Sequence, residues 1–261
     1  MIKVEKIMSM LETEYVGRET QYFQKLSSTN TVAKEQAEKG EKEGTVIISE
    51  TQTRGHGRLN RPWLSPKGGV WLSTILRPEM TPEETPKITL IMSVAVARTL
   101  HRLYGVKTEV KWPNDVLIDG KKVCGILTEA STSGEKVSTI VIGIGINANF
   151  VLEALPDNLQ MSATTLKEVL GKNVDREKLI CVLLKEFEEC YESFRGRKFK
   201  VLLGEWRKMA VVLGKKVEVV SFGESWVGRA IDIDESGALI VELEDGERKR
   251  VLSGDVTVMG A

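Results

Sequence analysis

The chain has 261 residues, 41% of them hydrophobic, and its 37 Lys+Arg balance 37 Asp+Glu for a formal net charge of zero. That length holds one substantial core plus a small appended unit, and the charge balance argues against broad, non-specific nucleic-acid binding. Three widely spaced cysteines (Cys124, Cys181, Cys190) and two histidines (His56, His101) leave little material for a structural zinc site or a disulfide framework. The N-terminus does not read as a secretory signal and no apolar run reaches membrane-spanning length, so the expectation is a soluble, cytoplasmic protein.

Residues 1–26 carry an apolar cluster at Ile7, Met8, Met10 and Leu11 and a short strand near 21–24. Ser27-Ser28-Thr29-Asn30 then offers N-caps to a helix over about 30–39, with Val32, Ala33, Gln36 and Ala37 on one face and Gly40 as its stop. A strand at 45–49 leads into a long loop, and Val70–Leu76, apolar on both faces, reads as a central strand. Ile88, Ile91, Met92, Ala95, Val96, Thr99, Leu100 and Leu103 recur at helical spacing between Pro86 and Gly105. Further strands are predicted at 109–112, 116–118, 123–127 and 138–147, the second and third paired across an Asp119-Gly120 turn. A loop over 148–163 precedes helices at about 175–195 and 198–209. Beyond 214, five short strands at 216–220, 226–233, 238–242, 248–252 and 256–259 are spaced as in a small all-β barrel. The boundary falls near 210–214, dividing the chain into 1–212 and 213–261.

Three stretches carry chemistry. In Glu50-Thr-Gln-Thr-Arg-Gly-His-Gly-Arg-Leu-Asn-Arg61, Gly55 and Gly57 let backbone amides approach a ligand, and Arg54, Arg58 and Arg61 supply forked, permanent charge suited to carboxylate or phosphate. Lys111-Trp112-Pro113-Asn114-Asp115, with Lys122 beyond it, places a cation and an amide at a rigid corner. Gly143-Ile144-Gly145-Ile146-Asn147 lacks the third glycine and the helix of a dinucleotide fingerprint; two strand glycines fit a ligand lying flat against the backbone. Taken singly, the first is as readily a solvated basic turn and the second a structural corner.

Their order changes the reading. Ser-Thr-Asn, Gln-x-x-Gly-x-Gly-Arg, Lys-Trp-Pro-Asn-Asp, Lys-x-x-Gly-Ile-Leu and Gly-x-Gly-Ile-Asn, running from about 27 to 149, together resemble the biotin protein ligase family. The resemblance implies an α/β (α+β) catalytic domain with a mixed sheet, class II aminoacyl-tRNA synthetase-like, followed by a small C-terminal SH3-like β-barrel. It implies that biotin and ATP, with Mg2+, form biotinyl-5′-AMP and pyrophosphate, and that the biotinyl group passes to one lysine of a biotin carboxyl carrier protein. Arg58 and Lys111 become the catalytic candidates. The biotin set is Ser28, Thr29, Asn30, Gln52, Gly55, His56, Gly57, Arg58, Lys122, Gly125, Gly143 and Gly145. The ATP set is Arg58, Arg61, Trp63, Lys111, Asn114 and Asn147, and no protein metal ligand is assigned. The common family loop reads Gly-Arg-Gly-Arg-Arg-Gly-Arg, so His56 stands here where an arginine is usual, and no aromatic cover for adenine is evident in 148–165. With about 26 residues ahead of the first motif, the implied form lacks the DNA-binding domain of the family's repressors and is a homodimer that binds no DNA and no membrane. A lipoate or octanoyl transferase of related fold, and a non-catalytic biotin sensor, are the alternative readings.

Overall fold

The computed structural model describes residues 1–259; the last two residues of the expected C-terminal unit, 260 and 261, lie outside the described residues. Its first element, α1 (Val4–Met10), is a helix where the sequence offers only an apolar cluster, since seven residues span too few turns to display a period. There follow β1 (Thr20–Phe23), α2 (Thr29–Glu38), β2 (Val46–Ser49), β3 (Val70–Leu76) and α3 (Pro86–Tyr104). Proline at the first turn of α3 needs no donor, and Gly105, at φ 67°, ends the helix by donating its N–H to the His101 carbonyl at 2.8 Å. The next strands are β4 (Glu109–Lys111), β5 (Asp115–Ile118), β6 (Lys121–Ser133) and β7 (Lys136–Ile146). The β6–β7 hairpin outruns its expected limits because its far half is exposed and polar, which a search for apolar runs passes over.

The expected loop at 148–163 contains a 3-10 turn (Leu152–Ala154) and a short helix, α4 (Asp157–Gln160). A further helix, α5 (Leu166–Leu170), starts at Thr165, whose hydroxyl accepts from the Glu168 amide at 3.2 Å. The long helix α6 (Arg176–Arg195) is capped by Asp175 through the Lys178 amide at 3.0 Å, and α7 (Phe199–Met209) follows it. On α6, the buried carboxylate of Glu188 accepts the amides of Glu14, Tyr15 and Val16 at 2.6, 3.0 and 2.8 Å, which ties the N-terminal segment to the core.

The first sheet runs β1-β2-β3-β7-β6-β5-β4, with β1 and β2 parallel and every other pair antiparallel, so it is mixed, and β3 is interior as its two apolar faces require. Alternation along the strands gives the sheet two different faces. One face, with Leu72, Ile126, Ile142 and Ile144, forms the main core with α3 and α6. On the other, Ile47, Ile75 and Val141 pack beneath Ala33 and Ala37 of α2. The three cysteines are buried and free, and burial pushes the thiols of Cys181 and Cys190 up to about 11 and about 12, so they serve packing rather than nucleophilic chemistry.

The second sheet comprises β8 (Lys216–Ser221), β9 (Glu224–Ile233), β10 (Leu239–Leu243), β11 (Arg248–Val251) and β12 (Asp255–Val258). It is antiparallel in the order β11-β10-β9-β8-β12, and among the described residues no ladder joins β11 to β12; the five strands of the expected barrel thus form an open sheet. Trp112 fastens it to the first body: the indole is buried and its Nε1–H donates to the Gly237 carbonyl at 3.1 Å. Arg207 of α7 adds bonds to Asp232 Oδ1 at 2.7 Å and to the Ile233 carbonyl at 2.6 Å. Among the described residues no helix is long and apolar enough to cross a membrane.

Candidate active site

On the face that α2 only partly covers, the strand register brings the glycines together. Gly145 of β7 lies between Trp71 of β3 and Gly125 of β6, and Gly143 between Ser73 and Leu127. Without side chains, these positions form a flat floor, and two residues from elsewhere lie against it. A Cβ on Gly145 would come within 2.5 Å of Trp63 Nε1, one on Gly125 within 2.9 Å of the same ring, and one on Gly143 would overlap Asn30 Oδ1. Trp63 continues into an aromatic cluster, its ring centroid 6.3 Å from Trp71, which in turn is 6.1 Å from Phe150; Leu155 and Ala163 complete the patch. The Trp63 Nε1–H is buried there with no partner among the described residues.

At the other end of the floor is a connected polar set. The Thr29 amide donates to Gln52 Oε1 at 2.7 Å, and Gln52 Nε2 donates to Ser65 Oγ at 2.7 Å, so both ends of that amide are fixed. The Ser73 hydroxyl lies 2.7 Å from Thr29 Oγ1 and 2.6 Å from Asn30 Oδ1, while Asn30 Nδ2 donates to Glu129 Oε2 at 2.8 Å. Lys34 Nζ is 3.2 Å from Glu129 Oε1, and His56 Nε2 is 3.6 Å from Oε2. Burial opposes ionisation of Glu129, but the bonds from Asn30 and Lys34 and the charges of Lys34 and His56 outweigh it and hold the carboxyl below the usual glutamate range. Ser28, the N-cap residue of α2, is buried beside this set without a side-chain capping bond. Replacing Gly143 with alanine is expected to displace Asn30 from Ser73, lowering stability by about 1–3 kcal/mol; thermal melts of the variant against the parent chain check this.

The loop between the strands is itself a small hairpin. The Trp63 amide donates to the Gly55 carbonyl and the Gly57 amide to the Arg61 carbonyl, each at 2.8 Å, leaving Arg58–Asn60 as the crest. Leu59 and Asn60 both hold positive φ (54° and 55°), which is costly for a leucine and marks a crest held by its surroundings. The crest reaches the second sheet. Arg58 donates to the Gly254 carbonyl at 2.7 Å and to Asp255 Oδ1 at 3.4 Å, and Arg61 pairs with the other oxygen of Asp255. Burial draws the Arg58 guanidinium below the ordinary arginine value, against the opposing pull of Asp255 and Asp115.

Lys122 Nζ is 2.6 Å from Asp115 Oδ1 and 5.0 Å from the centre of the Trp63 ring. Lys111, opposite Asp115 in the β4–β5 ladder, has no ion pair among the described residues. A cleft of about 290 Å3, lined by Arg58, Pro86, Thr89, Asn114, Ile126 and Ser253 among others, opens between the first body and the second sheet.

Residues 22–147 match the biotin/lipoate A/B protein ligase family, and residues 212–259 match the biotin protein ligase C terminal domain. A bifunctional ligase/repressor of Bacillus subtilis, BirA, is 38% identical over 94% of this chain and 76% of its own length. The chain belongs to the biotin protein ligase family. A biotin–[acetyl-CoA-carboxylase] ligase of Paracoccus denitrificans is 30% identical over 75% of this chain and 82% of its own. Among solved structures, the biotin protein ligase of Aquifex aeolicus in complex with biotin and ATP is 30% identical, covers 92% of this chain and 98% of its own, and superposes with a TM-score of 0.78.

Within this biotin protein ligase fold, Ser28, Thr29, Asn30, Gln52, Gly143 and His56 gather at the polar end, and Trp63, Lys122, Gly125 and Gly145 at the aromatic end. Three assignments look different in three dimensions. Asn114 Nδ2 donates to the Ile126 carbonyl at 2.7 Å, and Asn147, which is buried, donates to the Thr164 carbonyl at 3.1 Å, so both amide nitrogens hold backbone. Arg61 is exposed and turned to Asp255. Glu129, Ser73 and Asp255 were not legible as site residues: each sits in strand alternation that reads as ordinary surface or core. Phe150, the aromatic in 148–165, is buried against Trp71.

Proposed function

We propose that this chain is an ATP-dependent biotin protein ligase that makes biotinyl-5′-AMP and then biotinylates a lysine of a biotin carboxyl carrier protein. The observation that carries the reading is the glycine floor with a fixed polar set at one end and cations at the other. A ureido ring needs paired donors and acceptors, which Ser28, Thr29, Asn30 and Gln52 offer, with the backbone of Gly55, His56 and Gly57 alongside. A fused ring and alkyl tail need a flat apolar bed, which Gly125, Gly143 and Gly145 offer, with Lys122 toward the carboxylate. The carboxylate oxygen attacks the α-phosphorus as the bond to pyrophosphate breaks; two anions meet, so Arg58 and Lys111 spread and neutralise their charge. The acceptor lysine amine then attacks the acyl carbon and AMP leaves. The cleft lined by Arg58, Asn114 and Ser253 is assigned to the nucleotide, together with Arg61, Trp63, Lys111 and Asn147, which lie outside its lining.

Magnesium bound with ATP would neutralise phosphate charge. Among the described residues no three His, Cys, Asp or Glu side chains converge. The catalytic unit is assigned to 1–212 and the appended sheet to 213–261.

The test is direct. Purified chain with biotin, ATP and Mg2+ is expected to release pyrophosphate and accumulate biotinyl-AMP, detected by mass spectrometry. Absence of turnover with biotin overturns the reading, and preferential turnover of lipoate or octanoate in competition would reassign the substrate.

A further inference from the structure

The polar end of the floor holds two buried hydroxyls whose protons have a choice of direction. The Ser73 hydroxyl is 2.6 Å from Asn30 Oδ1 and 2.7 Å from Thr29 Oγ1, and it has one proton for the two. Thr29 Oγ1 is in turn 3.2 Å from Gln52 Oε1. Two arrangements of this chain are consistent. With Asn30 Oδ1 toward Ser73, the serine proton goes to Asn30, the Thr29 proton goes to Ser73 Oγ, and Thr29 Oγ1 receives nothing from the set. With the Asn30 amide turned over, Nδ2 donates to Ser73, the serine proton goes to Thr29 Oγ1, and the Thr29 proton goes to Gln52. Gln52 is fixed in either case, by the Thr29 amide at one end and Ser65 at the other, each at 2.7 Å, so the choice lies with Asn30.

Glu129 makes that choice. From mid-length on β6 its Oε2 lies 2.8 Å from Asn30 Nδ2. An ionised carboxylate only accepts, so the amide nitrogen of Asn30 must face it and the amide oxygen must face Ser73. The Leu127 carbonyl, 3.4 Å from the same nitrogen, favours the same orientation. Lys34 lies 3.2 Å from the other Glu129 oxygen, and against the effect of burial the bonds from Asn30 and Lys34 hold the carboxyl below the usual glutamate range, so it is ionised at neutral pH.

We propose that Glu129 is a positioning residue for the proposed ligase reaction, acting through Asn30: it selects the arrangement that leaves both lone pairs of Thr29 Oγ1 open to accept a ureido N–H of biotin. This role rests on the ligase reading above. A ureido ring brings two N–H donors, and a set that samples both arrangements presents its open acceptor only part of the time, which weakens binding by the fraction lost. Neither the carboxylate nor the α-phosphate is touched, so the chemical step is spared.

The experiment measures biotin binding by isothermal titration calorimetry, and KM and kcat for biotin in biotinyl-AMP formation. The proteins are the full chain, Glu129→Met, Thr29→Val and the double variant Asn30→Asp/Glu129→Gln; the ligands are biotin and its two derivatives methylated on one ureido nitrogen. Glu129→Met is expected to raise Kd and KM for biotin about five- to tenfold, with kcat within about twofold of the parent. The penalty for methylating one particular nitrogen is expected to shrink in Glu129→Met and in Thr29→Val alike, an effect that lost packing or lost charge would not produce. In the double variant the bond runs the other way: the introduced glutamine donates to the introduced aspartate, whose other oxygen still accepts from Ser73. It is expected to recover the parent's methylation penalties, with Kd for biotin within about threefold. Circular dichroism checks each fold, and if Glu129→Met does not fold, the double variant and Thr29→Val carry the comparison. Methylation penalties that are equal in all the proteins, a Glu129→Met loss confined to kcat, or a double variant that lacks the parent's penalties overturns the proposal. No binding of biotin by the parent chain would instead overturn the ligase reading, so the two failures are distinct.

Discussion

Replacing Lys111 with alanine is expected to slow biotinyl-AMP formation by about 10²–10³-fold, the scale of removing one fixed donor from a developing phosphoryl charge. The prediction comes from charge accounting at the site. Lys122 is occupied by Asp115 at 2.6 Å, and Arg58 and Arg61 by Asp255 and the Gly254 carbonyl. Lys111 closes the short strand β4 immediately before the Trp112–Pro113 corner, and among the described residues no carboxylate pairs with it. A cation left without a protein partner is the one whose charge is available to a carboxylate and an α-phosphate meeting beside it. Its neighbour Trp112 points to the opposite face and is locked into the second sheet, so the strand end is rigid without any help from the lysine. Lys111→Ala should therefore fold normally and bind biotin within a few-fold of the parent by calorimetry, while single-turnover formation of the adenylate falls. An equal loss of biotin affinity and rate would assign Lys111 to ground-state binding instead.

How much of this was legible beforehand varied with the range of the contact. Strands β3 and β7, helix α3 and the five strands of the second sheet were readable because an apolar period is a local signal and each is long or punctuated by Gly and Pro. The glycines at 143 and 145 suggested a ligand lying flat against the backbone, and the register sets Gly145 beside Gly125. What lies against that floor was not readable. Trp63 lies more than 60 residues from either partner, and nothing in a single indole between Pro62 and Leu64 says which surface it covers. Glu129 was hidden for a related reason: in Leu-Thr-Glu-Ala-Ser a glutamate on a strand whose far end is solvated has the appearance of outward polarity, and only the fold turns it toward Asn30 and His56. Short helices such as α1 and α5 failed on length alone, having too few turns for periodicity to emerge.

Arg58 is the second residue whose loss should be severe, and its partner on the second sheet allows two roles to be separated. Its guanidinium donates to the Gly254 carbonyl and faces Asp255, so Arg58→Ala by itself removes both a fastening between the loop and the second sheet and any contact to phosphate. The expected result is a fall in adenylation of about 10²-fold, with faster escape of biotinyl-AMP into solution. Asp255→Ala discriminates the causes. Were fastening the whole function, removing Asp255 would slow the reaction as removing Arg58 does, and the double variant would add little to either. Were Arg58 needed by phosphate, Asp255 would be an anion competing for it, and phosphate would displace it at the cost of that ion pair. Asp255→Ala would then release Arg58 and Arg61 together and lower KM for ATP, by about three- to fivefold for partly exposed pairs. The positive charges of the crest are held by a carboxylate outside the floor, in a geometry that leaves the polar end intact, so the second outcome is expected: opposite signs for the two single variants, and a double variant as slow as Arg58→Ala. Initial rates of pyrophosphate release against ATP concentration for the three proteins decide between them, and a raised KM for ATP in Asp255→Ala would assign Arg58 to fastening alone.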